Sequence, residues 1–126
     1  MRVVGIIAEY NPFHKGHAYQ IKKVRELTQA DFIVVAMSGN FVQRGAPAMF
    51  DKYTRAHAAL LSGADLVLEL PVSIATGSAE AFARGGVKLL HETGIVTDLC
   101  FGSECGDLSS LERLAAFLVE EPADYK

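Results

Sequence analysis

Apolar residues fall into two rhythms along this chain. Short, nearly unbroken apolar runs alternate with longer stretches in which apolar positions return every three or four residues. The run VVGIIAE (3–9) reads as a strand buried on both faces. Residues 17–28 read as a helix with Ala18, Ile21, Val24 and Leu27 on its apolar side. FIVVAM (32–37) is a second buried strand, followed by a long glycine- and proline-bearing loop over 38–48, SGNFVQRGAPA. Residues 50–63 predict a helix stopped by Gly63, 65–71 a third strand ended by Pro71, and 78–94 a helix capped by Ser78 and stopped by Gly94. A fourth strand over 96–102 and a last helix over 107–121, capped by Asp107, complete the pattern.

Strand then helix, four times over, predicts an α/β fold with a parallel sheet and right-handed crossovers. The chain shows no repeat, low-complexity segment or internal linker, so residues 1–126 read as a single domain. Open α/β sheets usually hold five or six strands, and residues 122–126 follow a helix with no further strand. The sheet is therefore expected to be incomplete and the chain to be the front of something longer.

Composition narrows the class. Half of the residues are apolar, enough for one core, and no run approaches the ~18 apolar residues of a membrane span. No signal peptide is evident at the start, and Cys100 and Cys105 are too few for a disulfide scaffold. A reduced cytoplasmic protein with no membrane and no DNA partner is expected. The net charge of −3 divides into +4 over residues 1–60 and −7 over 61–126. The basic half also holds three of the four histidines, which suits an anionic ligand there.

In open parallel sheets, ligands bind beyond the carboxyl ends of the strands. Four segments should meet at that edge: 9–17, 38–48, 71–78 and 102–106. The first, EYNPFHKGH, frames His14 and His17 around Lys15 and Gly16. A zinc pair, a phosphate cradle and a plain surface turn are the three readings open to it. A zinc site needs a third and usually a fourth ligand, and no other histidine or cysteine has matching spacing. Pro12 forces a turn, Gly16 admits close approach, and the helix start offers N–H groups to an anion. In the second loop Ser38, Gly39 and Asn40 offer donors at a strand end, with Arg44, Lys52 and Arg55 as cations nearby. Lys52 and Arg55 should share a helix face. They are candidates for phosphate or carboxylate contact, against a solvated helix face as the plain reading. Glu69 is either a carboxylate near magnesium or an edge residue. Ser78 and Glu80 read first as helix-start residues, His57 and His91 as structural or solvated. Gly85 and Gly86 read as close helix–sheet packing, and Phe41, Phe50 and Tyr53 as packing ahead of base stacking.

The strand followed by N-P-x-H-x-G-H and a helix resembles the HxGH signature of the nucleotidyltransferase superfamily, which has a Rossmann-like fold. With SGNFVQRGAPAMFDKYTRAHAAL, GADLVLELPVSIATGSAEAFARGGVKLL and CFGSE, nearly the whole chain is similar to the tRNA(Met) cytidine acetate ligase family. The resemblance implies activation of acetate by ATP to acetyl-adenylate, with Mg2+, and acetyl transfer to N4 of the wobble cytidine of elongator tRNA(Met). It implies His14 and His17 as catalytic residues. It also implies ATP contacts from Ile7, Ala8, Glu9, Tyr10, Asn11, Pro12, Phe13, His14, Lys15, Gly16, His17, Ala18, Tyr19, Gln20 and Gly102. The alternatives are another HxGH adenylyltransferase acting on a small phosphorylated substrate, or a non-catalytic nucleotide- or RNA-binding fragment. Family members are longer, and neither the downstream KMSKS or S-x-T-x-x-R motif nor a tRNA-binding helical region has a counterpart in residues 1–126. An N-terminal, nucleotidyltransferase-like ATP-binding domain is expected.

Overall fold

The computed structural model describes residues 1–101; Gly102, Cys105 and the predicted last helix over 107–121 lie outside the described residues. The described elements are β1 (Val3–Ala8), α1 (Lys15–Thr28), β2 (Phe32–Met37), a 3-10 turn (Gln43–Gly45), α2 (Lys52–Leu61), β3 (Leu66–Glu69), α3 (Val72–Ala75), α4 (Ala79–Glu92) and β4 (Asp98–Phe101). The four strands form one all-parallel sheet in the order β3-β2-β1-β4. The chain winds outward from β1 to β3 and then returns to the far side of β1. The reversal lies between β1 and β4, where open α/β sheets form a crevice.

β1 and β2 pair along their whole lengths, from Val3 opposite Phe32 to Ala8 opposite Met37. Both are central and almost wholly buried, which is why each reads as an apolar run without alternation. One side of the sheet packs Val4, Ile6, Ile33, Val35 and Met37 against Ile21 and Val24 of α1 and Ala59 of α2. The other packs Val3, Ile7, Val34 and Ala36 against Ala75 of α3 and Val87 and Leu90 of α4. Burial of each Val or Ile contributes about 1.5–3 kcal/mol. Among the described residues no helix is long and apolar enough to cross a membrane.

The elements follow the sequence pattern in order and type, with differences of detail. α1 begins two residues earlier than expected, at Lys15, because His14 is its cap. Leu27 is 73% exposed. Each three-residue step along a helix falls short of a full turn, so the stripe through Ile21 and Val24 drifts off the core before reaching Leu27. Thr28 takes the inward side and donates its hydroxyl to the Val24 carbonyl at 2.6 Å. The short helix α3 was not anticipated; it fills the segment after Pro71.

The paired glycines of α4 are places of close contact. A Cβ on Gly86 would lie 2.7 Å from Cγ2 of Ile7, and one on Gly85 2.4 Å from Cγ2 of Ile74. Gly86→Ala is therefore expected to destabilise the protein by about 1 kcal/mol. Overpacking costs roughly 1–3 kcal/mol, of which the better helix propensity of alanine offsets about 1. Urea unfolding checks this; an unchanged or higher midpoint would mean that Ile7 turns aside freely.

Candidate nucleotide site at the strand ends

Tyr10, in the left-handed region at φ 51°, and a cis Asn11–Pro12 bond carry the chain from β1 into α1. His14 then caps the helix in extended conformation. Its Nδ1 accepts the Gly16 N–H at 3.1 Å, and the His14 N–H donates to Nδ1 of His17 at 3.1 Å. The two histidines thus form a reciprocal capping box, a role usually filled by Ser or Thr with Glu or Gln. Gly16 is required by this fold-back: a Cβ there would lie 2.9 Å from Cε1 of His14. The rings stack at 3.7 Å between centroids.

This geometry fixes the chemistry of both rings. A ring nitrogen that accepts a hydrogen bond carries no proton, so each neutral imidazole holds its proton on Nε2. Both Nε2–H donors lie across the ring from the helix backbone. His17 is held further by Tyr10 and Phe13, with centroids 4.8 and 5.6 Å away, while Tyr10 meets Phe13 edge-on at 4.7 Å. Burial lowers the pKa of His17 below its ordinary 6.5, and the adjacent His14 lowers it again. Tyr10 is buried in the core, and that burial, with Cys100 nearby, raises its pKa well above the usual tyrosine range.

The second loop docks on the first. The Ser38 N–H donates to the Ala8 carbonyl at 3.2 Å, the Gln43 N–H to Oε2 of Glu9 at 2.9 Å, and the Met49 N–H to Oδ1 of Asn11 at 2.8 Å. Asn40 closes the loop by accepting the Lys52 N–H at 2.9 Å. Arg55 lies beneath, 1% exposed. Its guanidinium donates to the carbonyls of Glu9 at 2.6 Å, Phe50 at 3.0 Å and Ser38 at 3.1 Å, and also to that of Gly39. Burial lowers its pKa, with Asp51 and Glu9 opposing.

The structure therefore gathers Glu9, Ser38 and Gly39 around Arg55, with Asn11 and Asn40 bracing the same loops, and Tyr10, Phe13, His14, Gly16 and His17 at the start of α1. Lys52 and Arg55 do not act together: Arg55 faces inward, while Lys52 pairs with Oε1 of Glu69 at 2.8 Å, which raises the Lys52 pKa. Glu69 also crowds Gly39, where a Cβ would overlap its carboxylate. Ile7 faces α4, and Ala8 packs at the core edge. Half-buried Gln20 lies beside β4, its Nε2 4.0 Å from Sγ of Cys100. Pro12 and Ala18 are half-buried; Lys15, Tyr19 and Arg44 are exposed. The Arg44 backbone N–H bonds to the Thr76 carbonyl at 3.2 Å. The hydroxyls of Tyr10 and Ser38 are buried with no hydrogen-bond partner among the described residues. No group of three or more His, Cys, Asp or Glu suited to a metal ion occurs among the described residues. The anchoring roles of Asn11 and Arg55 are the features that sequence reasoning missed. For Arg55 a signal existed: it stands four residues before buried Ala59 on the inward face of α2.

A family model described as HIGH nucleotidyl transferase matches residues 1–126. The chain belongs to the HIGH nucleotidyl transferase family. Curated relatives named tRNA(Met) cytidine acetate ligase, from Acetivibrio thermocellus and Clostridium kluyveri, are each 54% identical over 126 residues, 100% of this chain. This HIGH nucleotidyl transferase chain spans only 30% and 31% of their lengths, about a third. Among solved structures, Thermotoga maritima TmcAL bound with alpha-thio ATP superposes with a TM-score of 0.83 at 52% identity, over 97% of this chain and 30% of that one. The apo form of the same protein gives 0.82.

Two outcomes follow from this geometry. Arg55→Met, which leaves four backbone carbonyls unsatisfied, is expected to lower stability by about 3 kcal/mol or more; a loss under about 1 kcal/mol in urea unfolding would contradict the clamp. The second concerns pH. Because the folded state depresses the His17 pKa, the neutral ring's contribution is complete above about 6.5 and is lost as pH falls from there through the folded-state value. His17→Gln keeps a capping-box acceptor without titrating. Unfolding midpoints taken from pH 7.5 down to 5 should fall less in that variant than in the native protein; parallel curves would rule His17 out as the source.

Proposed function

We propose that this chain supplies the ATP-binding and adenylyl-transfer part of a ligase that activates acetate and acetylates N4 of the wobble cytidine of elongator tRNA(Met). One observation carries the chemistry: two stacked imidazoles at a helix start, each with Nδ1 tied to a backbone N–H and its proton left on Nε2. The family membership and the relatives' names support the acetate and tRNA assignments. In this reading residues 1–126 form the N-terminal nucleotide-binding domain of a longer enzyme, acting in the cytoplasm with its tRNA.

The residues present fit a triphosphate. The dipole of α1 favours negative charge at its start, Lys15 adds a cation, and Gly16 keeps the approach clear. His14 and His17 donate to the α-phosphate oxygens as negative charge builds on them. Acetate oxygen attacks the α-phosphorus, the bond to the bridging oxygen breaks, and pyrophosphate leaves. The cytidine amine then attacks the acetyl carbonyl and AMP departs. Mg2+, carried by the phosphates, would offset their charge.

The test is acetate-dependent ATP–pyrophosphate exchange in the full-length protein and in the His14→Ala/His17→Ala variant. Losing one well-placed transition-state donor typically costs 10²–10³-fold in rate, so exchange should fall by at least about a hundredfold. Undiminished exchange in the variant would refute the catalytic assignment. Exchange with phosphorylated small molecules but not with acetate would favour another HxGH adenylyltransferase.

A further inference from the structure

The loop after β2 carries large apolar side chains that the core does not use. Phe41, Met49, Phe50 and Tyr53 are 47%, 70%, 52% and 76% exposed. The loop is nonetheless well fixed. Phe41 bridges Pro47 in antiparallel fashion, and the Ala48 N–H donates to the Asn40 carbonyl at 2.9 Å, so Phe41 is drawn beside the 47–50 segment. Asn11 and Glu9 tie both arms to the histidine loop. Residues 38–50 contain one cation, Arg44, and no carboxylate. Lys52 Nζ lies 5.4 Å from the Tyr53 ring centroid.

We propose that this patch is the platform on which the unpaired base of the RNA acceptor stacks, with Arg44 meeting its backbone phosphate. The proposal rests on the acetate ligase reading above and assigns the acceptor side of that site. Rigid exposed aromatics beside a cation are the chemistry of single-strand recognition, because every base has a face to stack and each nucleotide a phosphate. Chemistry on a base amine also requires that base to leave its stack and find another surface. The hydrogen bond from Met49 to Asn11 ties the platform's loop to the loop bearing His14 and His17, so a base held there lies at the same edge of the sheet as the proposed adenylyl chemistry. Exposed Arg44, the one charged residue of 38–50, favours RNA over an apolar protein segment.

The test uses the full-length protein and a fluorescein-labelled RNA hairpin with an unpaired cytidine in its loop. Phe41→Ala and Phe50→Ala should each weaken binding roughly tenfold, the ordinary worth of one stacked base, while Phe50→Tyr binds as the native protein does. Arg44→Gln should reduce the salt dependence by about one phosphate contact. Acetate-dependent pyrophosphate exchange, which needs no RNA, should stay within about twofold in all four variants. Unchanged binding in both alanine variants overturns the proposal. So does a joint fall in binding, exchange and thermal stability that Phe50→Tyr fails to restore, because the patch is then covered by another part of the polypeptide. Exchange is read separately: if the native protein shows none with acetate, the ligase reading fails, and binding alone decides the platform.

Discussion

The site depends on one buried cation. Arg55 carries a full charge into the interior without a buried carboxylate partner among the described residues; backbone carbonyls surround it instead. Removing a guanidinium from water is costly, and charge-assisted hydrogen bonds to several carbonyls are the means of offsetting it. The carbonyls of Glu9, Ser38 and Gly39 belong to residues just past the ends of β1 and β2, and that of Phe50 to the far end of the second loop. Loops at strand ends otherwise have unpaired backbone groups and considerable freedom. A planar fork with five donors resolves both difficulties at once, which a lysine ammonium cannot do. The histidine loop and the second loop share this anchor, so a shift in either would leave charge or carbonyl unsatisfied in the other.

Above that anchor, folding and chemistry use the same atoms. His14 and His17 end the helix by accepting N–H groups at Nδ1, and this acceptance places the remaining proton on Nε2. A serine and a glutamine would cap the helix equally well but would leave no outward N–H donors on rigid rings. The requirement that Gly16 lack a side chain belongs to the same arrangement, since the imidazole of His14 occupies that space. The spacing H-x-G-H is therefore the spacing of a capping box, with glycine at the one position the first ring covers.

Much of this was visible in the sequence. The buried runs of β1 and β2 and the glycines of α4 announce themselves because burial on both faces leaves no polar alternation and close packing leaves no side chain. The meeting of segments 9–17 and 38–48 followed from parallel topology alone. What the pattern hid were inversions of ordinary use. His14 reads as a loop residue because histidine is an unusual cap, and Arg55 reads as a surface cation because arginine is rarely so buried. Leu27 and the aromatics of the second loop erred in the opposite direction: apolar residues that sequence reasoning assigns to packing stand exposed. A buried arginine and several exposed aromatics are both departures from the general rule, and both sit on or beside the strand-end loops.

The charge balance at the strand ends also bears on the proposed adenylyl transfer. Arg55 is occupied by carbonyls, and Lys52 is paired with Glu69. The side-chain donors left on the histidine loop are the two Nε2–H groups, with the exposed cation Lys15 next to His14 in sequence. A cluster of bare cations would hold a triphosphate and its pyrophosphate product alike, lowering the ground state as much as the transition state. Neutral donors fixed in direction act differently. Their interaction with a phosphate oxygen strengthens as charge accumulates on that oxygen, and it weakens again when the charge departs with the leaving group. The depressed pKa of His17 serves the same end, because a protonated ring would lose its capping bond and gain a standing charge. In the proposed reaction, the aromatic packing of His17 against Tyr10 and Phe13 serves to keep a donor neutral.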